Sequence, residues 1–278
     1  MSPSISEPDY RFIRDLVYQR SRINLGNHKH ELVAGRVAKR LRQLGMTSYS
    51  DYCHFLESEA GQVELTDLID AISTNHTSFF RDIRHFEFLR AEILPKLETL
   101  IPRPHPRKLR IWSAACSSGE EPYSIALCLA DHFSRVQGWT WEVDATDIST
   151  RILGVAEAGI YDEQLVTLPQ PDWLRRYFQR GINAYEGSYR VKREIREQVR
   201  FFHANLFQPQ YPFPSGFHVV FCRNVMIYFD RPTQQQLLEK IAGHSTPGAY
   251  LFVGPSESLI GIRGAFRYLS PGIYQKDA

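Results

Sequence analysis

Two adjacent acids, Glu120 and Glu121, follow a run of small residues, Ser-Ala-Ala-Cys-Ser-Ser-Gly at 113–119. Small side chains let a ligand approach the backbone closely, and the acids beside them suit an amine or a positive charge rather than a pyrophosphate. No Gly-Lys-Ser/Thr follows, so the run is not a phosphate loop. Asp147 closes a second apolar run, where an acid is placed to accept both ribose hydroxyls of a nucleoside cofactor. Cys222, Arg223 and Asn224 follow a third apolar run, the position at which α/β active sites lie. Upstream, the stretch STNHTSFFRD at 73–82 carries Asn75, Thr77 and Arg81 between two helical segments. It either reaches over a ligand held by the next domain or starts a helix capped by Thr77 or Ser78.

The elements that must position these residues alternate as in an α/β fold. Leu109 to Trp112 reads as a buried strand, and Glu120, Glu121 and Pro122 open a helix, since proline and acids both suit a first turn. Trp141 to Ala145 reads as the second strand, followed by a helix from Thr150, capped by Ser149 and ended by Gly159. Gly216 to Phe221 and Tyr250 to Val253 are further buried strands, with a helix between them capped by Asp230 or Thr233 and running to Ile241. The chain from Phe266 to Tyr274 reads as a last antiparallel strand. Alternation breaks at 160–203, where Tyr189–Lys192 and Val199–Phe202 suggest an inserted small antiparallel sheet. Eight basic residues stand against three acids over 175–200. A surface for an acidic peptide or protein is expected there, since no nucleic-acid motif accompanies the charge.

Before this core the pattern is helical: from Asp9, then His28 to Leu44, Ser48 to Ser58, Val63 to Ile72, and His85 to Leu97, stopped at or soon after Pro95. An all-helical domain is expected over 1–100 and a linker over 101–108, which holds three prolines. The α/β domain then spans 109–278. Helix 28–44 carries five basic residues and one acid, and Lys29, Arg36, Lys39 and Arg40 project from one flank. This flank is either a solvated face or a docking surface for an acidic partner.

Composition is ordinary for a globular protein of 278 residues: 43% hydrophobic, 23% charged, net charge +2. Nothing global points to nucleic acid. Cys53, Cys116, Cys128 and Cys222 form no metal-ligand spacing, and no signal peptide or membrane span is evident, so a reduced, cytoplasmic protein without metal is expected.

Taken together, NHTSFFRD at 75–82, WSAACSSGEEPYSIA at 112–126, ATDIS at 145–149, YFQRG at 177–181, ANLF at 204–207 and FCRNVMIYFD at 221–230 resemble the bacterial chemotaxis-receptor methyltransferases of CheR type. The resemblance runs from Asp9 to Tyr274. It implies a helical N-terminal domain, then a Rossmann-like domain that binds S-adenosylmethionine and is interrupted by a small β-subdomain. It also implies γ-methyl esterification of glutamates in the cytoplasmic coiled coil of methyl-accepting chemoreceptors, by a monomer. Carried over residue by residue, Asn75, Thr77 and Arg81 would meet the cofactor from the N-terminal side, and Ala115 would line it. Glu121, with Glu120 as the near alternative, would hold the methionyl ammonium. Asp147 would bind the ribose, Asn205 and Leu206 the adenine, and Arg223 and Asn224 the methionyl and substrate side. Arg81, Arg180 and Tyr228 would form the catalytic entrance. In some members the β-subdomain binds a C-terminal receptor tether peptide. Here Gly181, Gly187 and Tyr189 would shape a sheet edge for it, with Arg190, Lys192, Arg193 and Arg196 nearby. Two departures, Pro255 before Ser256-Glu257 and His218 before the central apolar run, touch none of these ligand positions. A nicotinamide dehydrogenase shares the acid after strand two but needs a glycine-rich turn, which 115–119 supplies poorly. An RNA methyltransferase and a non-catalytic binding module are the other readings.

Overall fold

The computed structural model describes residues 5–26, 29–73, 75–100, 107–262 and 264–277. Four helices come first: α1 (Glu7–Ser21), α2 (His30–Leu44), α3 (Tyr49–Glu57) and α4 (Gly61–Ile72). Ser6 and Ser48 cap α1 and α3 by accepting from Asp9 and Asp51 N–H. Their apolar stripes, including Ile13, Val17, Val33, Val37, Leu41, Tyr52, Leu56, Leu65 and Leu68, close one core. That core ends at Ile72.

The expectation of one helical domain to residue 100 is therefore corrected. Segment 79–97 packs on the sheet instead: Phe79, Phe80, Phe86, Leu89, Ile93, Leu94 and Leu97 share a core with Leu109, Ile111 and Val219. Its helix runs as α5 (Ile83–Phe88), a π turn (Leu89–Ile93) and α6 (Leu94–Leu100). Pro95 does not stop it. The widened π turn lies where a proline, lacking N–H, would otherwise break an α-helical ladder. Most of the proposed linker, 101–106, lies outside the described residues, and Arg107 and Lys108 already belong to a strand.

The main sheet is built from β1 (Arg107–Ala114), β2 (Trp139–Asp147), β6 (Val199–His203), β7 (Phe217–Phe221), β8 (Ser245–Phe252), β9 (Phe266–Ser270) and β10 (Ile273–Lys276). Their order is β6-β2-β1-β7-β8-β10-β9, with β10 alone running against the others and pairing antiparallel with both β8 and β9. The C-terminal stretch thus forms two antiparallel strands rather than the single one expected. The helices α7 (Glu120–Phe133), α8 (Thr150–Ala158) and α11 (Arg231–His244) connect the strands. Ser149 and Asp230 cap α8 and α11. At the entry of α7, Gly119 has φ 95°, and a Cβ there would lie 2.8 Å from Ala156 Cβ and 2.9 Å from the Tyr161 hydroxyl. This turn needs glycine on both counts.

The inserted sheet ends earlier than expected, at Val191. It holds β3 (Ile160–Asp162), β4 (Phe178–Arg180) and β5 (Ser188–Val191), with β5 in the middle. Short helices α9 (Trp173–Tyr177) and α10 (Arg193–Arg196) flank it. Val199–Phe202, expected inside the insertion, is the edge of the main sheet: it pairs in parallel with β2 from Val143↔Val199 to Asp147↔His203. Tyr189, expected at a sheet edge, lies in the central strand, paired with both Tyr161 and Arg180.

Candidate active site

The carboxyl ends of β1, β2 and β7 open into one cleft of about 1020 Å³, its mouth included. Asn75, Thr77, Arg81, Ala115, Glu121, Asp147, Asn205, Leu206, Arg223, Asn224 and Tyr228 all line it. Glu120 and Arg180 do not. Glu120 turns away, buried at 6% exposure, and its carboxylate accepts from Ser118 Oγ at 2.6 Å. Of the two acids expected to compete for a ligand, only Glu121 reaches the cleft. Arg180 is exposed at the end of outer strand β4 and does not reach the cleft.

The floor is the turn after β1. Ala115 and Ser117 both have positive φ, 62° and 51°, and their small side chains leave backbone facing the cleft. Asp147 locks this turn to the end of β2. Its Oδ2 accepts from Ser117 N–H at 2.8 Å and its Oδ1 from Ser149 N–H at 3.0 Å. A carboxylate has about four acceptor sites, so two remain after these bonds. Burial pushes the Asp147 carboxyl above its ordinary pKa, and the two N–H donors oppose that shift.

Glu121 lies under the next wall. Its Oε1 accepts from Ser113 Oγ at 2.7 Å and its Oε2 from Arg223 Nη1 at 3.1 Å. Burial raises this carboxyl too, against the pull of Arg223. Arg223 is itself buried and joins three pieces of chain, with Nη2 on Arg81 carbonyl at 2.7 Å and Asp82 Oδ2 at 2.5 Å. The guanidinium thus ties the 75–82 strap to the end of β7. Arg81 donates from Nη1 to the His76 carbonyl at 2.9 Å. The strap is not a capped helix start. Phe80 and Asp82 hold φ 52° and 56°, and the helix begins only at Ile83.

The helical unit closes the cleft. Ser21, Ile23, Ile72 and Ser73 line it from that side. Asn24 N–H donates to the Tyr228 carbonyl at 2.8 Å, and Tyr18 hydroxyl to Asp230 Oδ2 at 2.8 Å. Asn205, expected at the adenine, spends its side chain on this closure: Nδ2 donates to Arg20 carbonyl at 2.7 Å and Oδ1 accepts from Phe207 N–H at 2.9 Å. Sequence reasoning missed the apolar walls Ile23, Ile72, Ile148, Phe207 and Phe229, which are isolated in sequence and meet only in the fold.

The basic flank of α2 is also redistributed. Arg36 Nη1 bonds the carbonyls of Ala71, Ile72 and Ser73 at 2.7, 2.8 and 2.6 Å, closing the end of α4. Arg40 holds buried Glu64 through Nε at 2.8 Å and Nη2 at 2.5 Å, and reaches Asp67 at 2.6 Å. Neither presents a free charge to a partner. Lys39 is exposed, and Lys29 Nζ sits 5.5 Å from the Tyr228 ring centre.

The cleft suits a nucleoside with a cationic tail: paired acceptors at Asp147, apolar walls, and an anionic Glu121 beside a turn without phosphate-binding glycines. With a parallel sheet ending in a reversed hairpin, these features define an S-adenosylmethionine-dependent methyltransferase. Residues 75–274 match the family described as CheR methyltransferase, SAM binding domain, and residues 8–73 match CheR methyltransferase, all-alpha domain. The chain is 39% identical over 271 residues to a chemotaxis protein methyltransferase of Escherichia coli (strain K12), covering 98% of this chain and 91% of the relative. It is 37% identical over 276 residues to one of Borreliella burgdorferi (strain ATCC 35210 / DSM 4680 / CIP 102532 / B31), covering 99% and 96%. The chain belongs to the CheR methyltransferase family.

Proposed function

We propose that the protein methylates glutamate side chains of chemotaxis receptors, with Asp147 and Glu121 holding the cofactor and Arg81 and Tyr228 orienting the acceptor. The observation that carries the residue assignment is the convergence of all four on one cleft, floored by the small-residue turn. Asp147 has two acceptor sites left for ribose hydroxyls. Glu121 would pair with the methionyl ammonium, and Leu206 and the apolar walls would take the adenine. Bound S-adenosylmethionine supplies a methyl group on a positively charged sulfur.

The chain's own residues need not remove a proton. A free glutamate has a pKa of about 4.3 and is already the nucleophile near pH 7. Arg81 carries five N–H donors and spends one on His76, so it can align the acceptor carboxylate while Tyr228 adds a hydroxyl. Sulfonium and carboxylate lose opposite charges together, so water would favour the separated state. The helical unit covers the cleft through Ile23 and Ile72 and so keeps water out. Tight ion pairing would blunt the nucleophile, and the buried Arg223 is already occupied by Glu121 and Asp82.

The acceptor glutamate would lie in the coiled-coil cytoplasmic region of the receptor, approaching past Lys29 and Lys39. Incubation with labelled cofactor and receptor cytoplasmic fragments tests the reading. Label released as methanol by mild base is expected, and base-stable label on RNA or protein would overturn it. Tyr228→Phe should slow transfer and leave cofactor affinity in place.

A further inference from the structure

Glu257 is buried, 6% exposed, and none of the roles above uses it. The parallel ladder between β7 and β8 ends with Cys222 N–H on the Phe252 carbonyl at 2.8 Å. Beyond that point the strands part, and their next N–H groups need other acceptors. Glu257 supplies them. Its Oε2 accepts from Gly254 N–H at 2.5 Å and Asn224 N–H at 2.8 Å, and its Oε1 accepts from Ile227 N–H at 3.2 Å. A single carboxylate therefore sets both ends of the 224–227 backbone, including the left-handed Asn224 at φ 58° and the 3₁₀ turn Met226–Tyr228. The crossing is close. A Cβ on Gly254 would lie 2.7 Å from Asn224 Nδ2 and 2.8 Å from Glu257 Oε2. Only an acceptor-only group satisfies three converging donors. A glutamine offers one oxygen and turns an NH2 toward a donor.

We propose that Glu257 is a positioning residue for methyl transfer, holding the 224–228 backbone so that the Tyr228 hydroxyl meets the acceptor carboxylate. This rests on the placement of Tyr228 at the acceptor. Misplacing an orienting group by about an ångström can cost roughly 100-fold in rate. Glu257→Gln is expected to lower kcat roughly 10- to 100-fold on receptor fragments. A merely structural role would multiply with other losses, so the decisive readout is a double-mutant cycle with Tyr228→Phe. If Glu257 acts through Tyr228, the double variant turns over about as fast as the slower single one. A full multiplicative loss, or wild-type kcat in Glu257→Gln, overturns the inference alone. Wild-type kcat in Tyr228→Phe overturns the placement of Tyr228 and this inference with it. Should Glu257→Gln fail to fold by circular dichroism, Glu257→Asp takes its place in the cycle. It keeps two acceptor oxygens on a shorter stem, and the same outcomes decide.

Discussion

At the level of single residues, the cleft sets a buried acid, Asp147, and a half-buried one, Glu121, against a cationic ligand, and this has a pH signature. Burial raises both Glu121 and Asp147. A raised carboxyl protonates at a higher pH than an exposed one, so the charged form that holds the cofactor is lost earlier on acidification. Cofactor affinity should therefore begin to fall above the usual glutamate range of about 4.3, with proton release on binding in calorimetry across buffers. Glu121→Gln should flatten that dependence and weaken binding by about 1.5 to 3 kcal/mol, the worth of a hydrogen bond to a charged group. Its amide can still bond Ser113 and Arg223, so the thermal midpoint of the cofactor-free protein should hold. Asp147→Ala should cost about 1 to 3 kcal/mol in cofactor binding, and unchanged calorimetric affinity would remove Asp147 from the ribose. Both acids were legible because each ends a strand or opens a helix, where topology alone points into the cleft. Glu257 was not, since one acid past a strand has no spacing that distinguishes a solvated side chain from a backbone clamp. Asn205 was legible as a position beside the cleft, but its partner Arg20 lies in a helix 185 residues away in sequence.

The strap and the helix behind it form the element that couples the cleft to the rest of the fold. His85, on α5, is buried beside Phe252 and Arg223, and burial first, then Arg223, push its pKa down to about 4. In the unfolded chain it titrates at about 6.5. A depressed histidine contributes stability that is present above the unfolded pKa and lost as pH falls toward the folded one. Urea midpoints should thus drop between about pH 6.5 and 4, with His85 accounting for up to about 3 kcal/mol of the loss. His85→Gln should show a shallower drop over the same window, and parallel curves would exclude His85 as the cause. On the other side of the strap, Arg36 anchors the carbonyls of 71–73, two of whose residues line the cleft. Arg36→Ala should lower stability by about 1 to 3 kcal/mol and weaken cofactor binding, in contrast to a docking residue, whose loss would move only the receptor KM. Amphipathic spacing placed Arg36 and Arg40 on the flank of α2 correctly, but periodicity says nothing about whether the neighbour there is water or the end of another helix. The same limit hid β6. Its short run Val199-Arg200-Phe201-Phe202 is as compatible with a small inserted sheet as with the main one, and only pairing with β2 distinguishes them.

At the scale of the whole molecule a receptor must be held as well as methylated, and the net charge of +2 does not by itself identify the surface that holds it. We propose the inserted sheet as the element that would hold a receptor tail. Its place is fixed by the strap: Phe79 meets Tyr161 and Phe178 edge-on, with ring centres 4.9 and 5.8 Å apart. A peptide bound on this sheet would thus sit at a constant offset from the cleft, and the receptor's own linker would set the effective concentration of its glutamates. Since β5 is central, an added strand must pair with β3 or β4, and exposed Arg180 and Arg190 lie on that sheet to meet a terminal carboxylate. A tether adds no contact at the chemistry. Deleting a receptor's C-terminal residues should then raise the apparent KM with kcat and cofactor affinity unchanged, and the isolated peptide should compete. Arg190→Glu should weaken peptide binding and raise KM for the full receptor while leaving KM for the truncated one in place, because the two changes remove the same interaction. Lys39→Glu should raise KM for both receptors, and added salt should narrow its difference from wild type, as expected for a screened surface charge. Equal KM for full and truncated receptor, with no peptide bound at any concentration tested by calorimetry, would leave the α2 side as the means of docking and the inserted sheet without a tethering role.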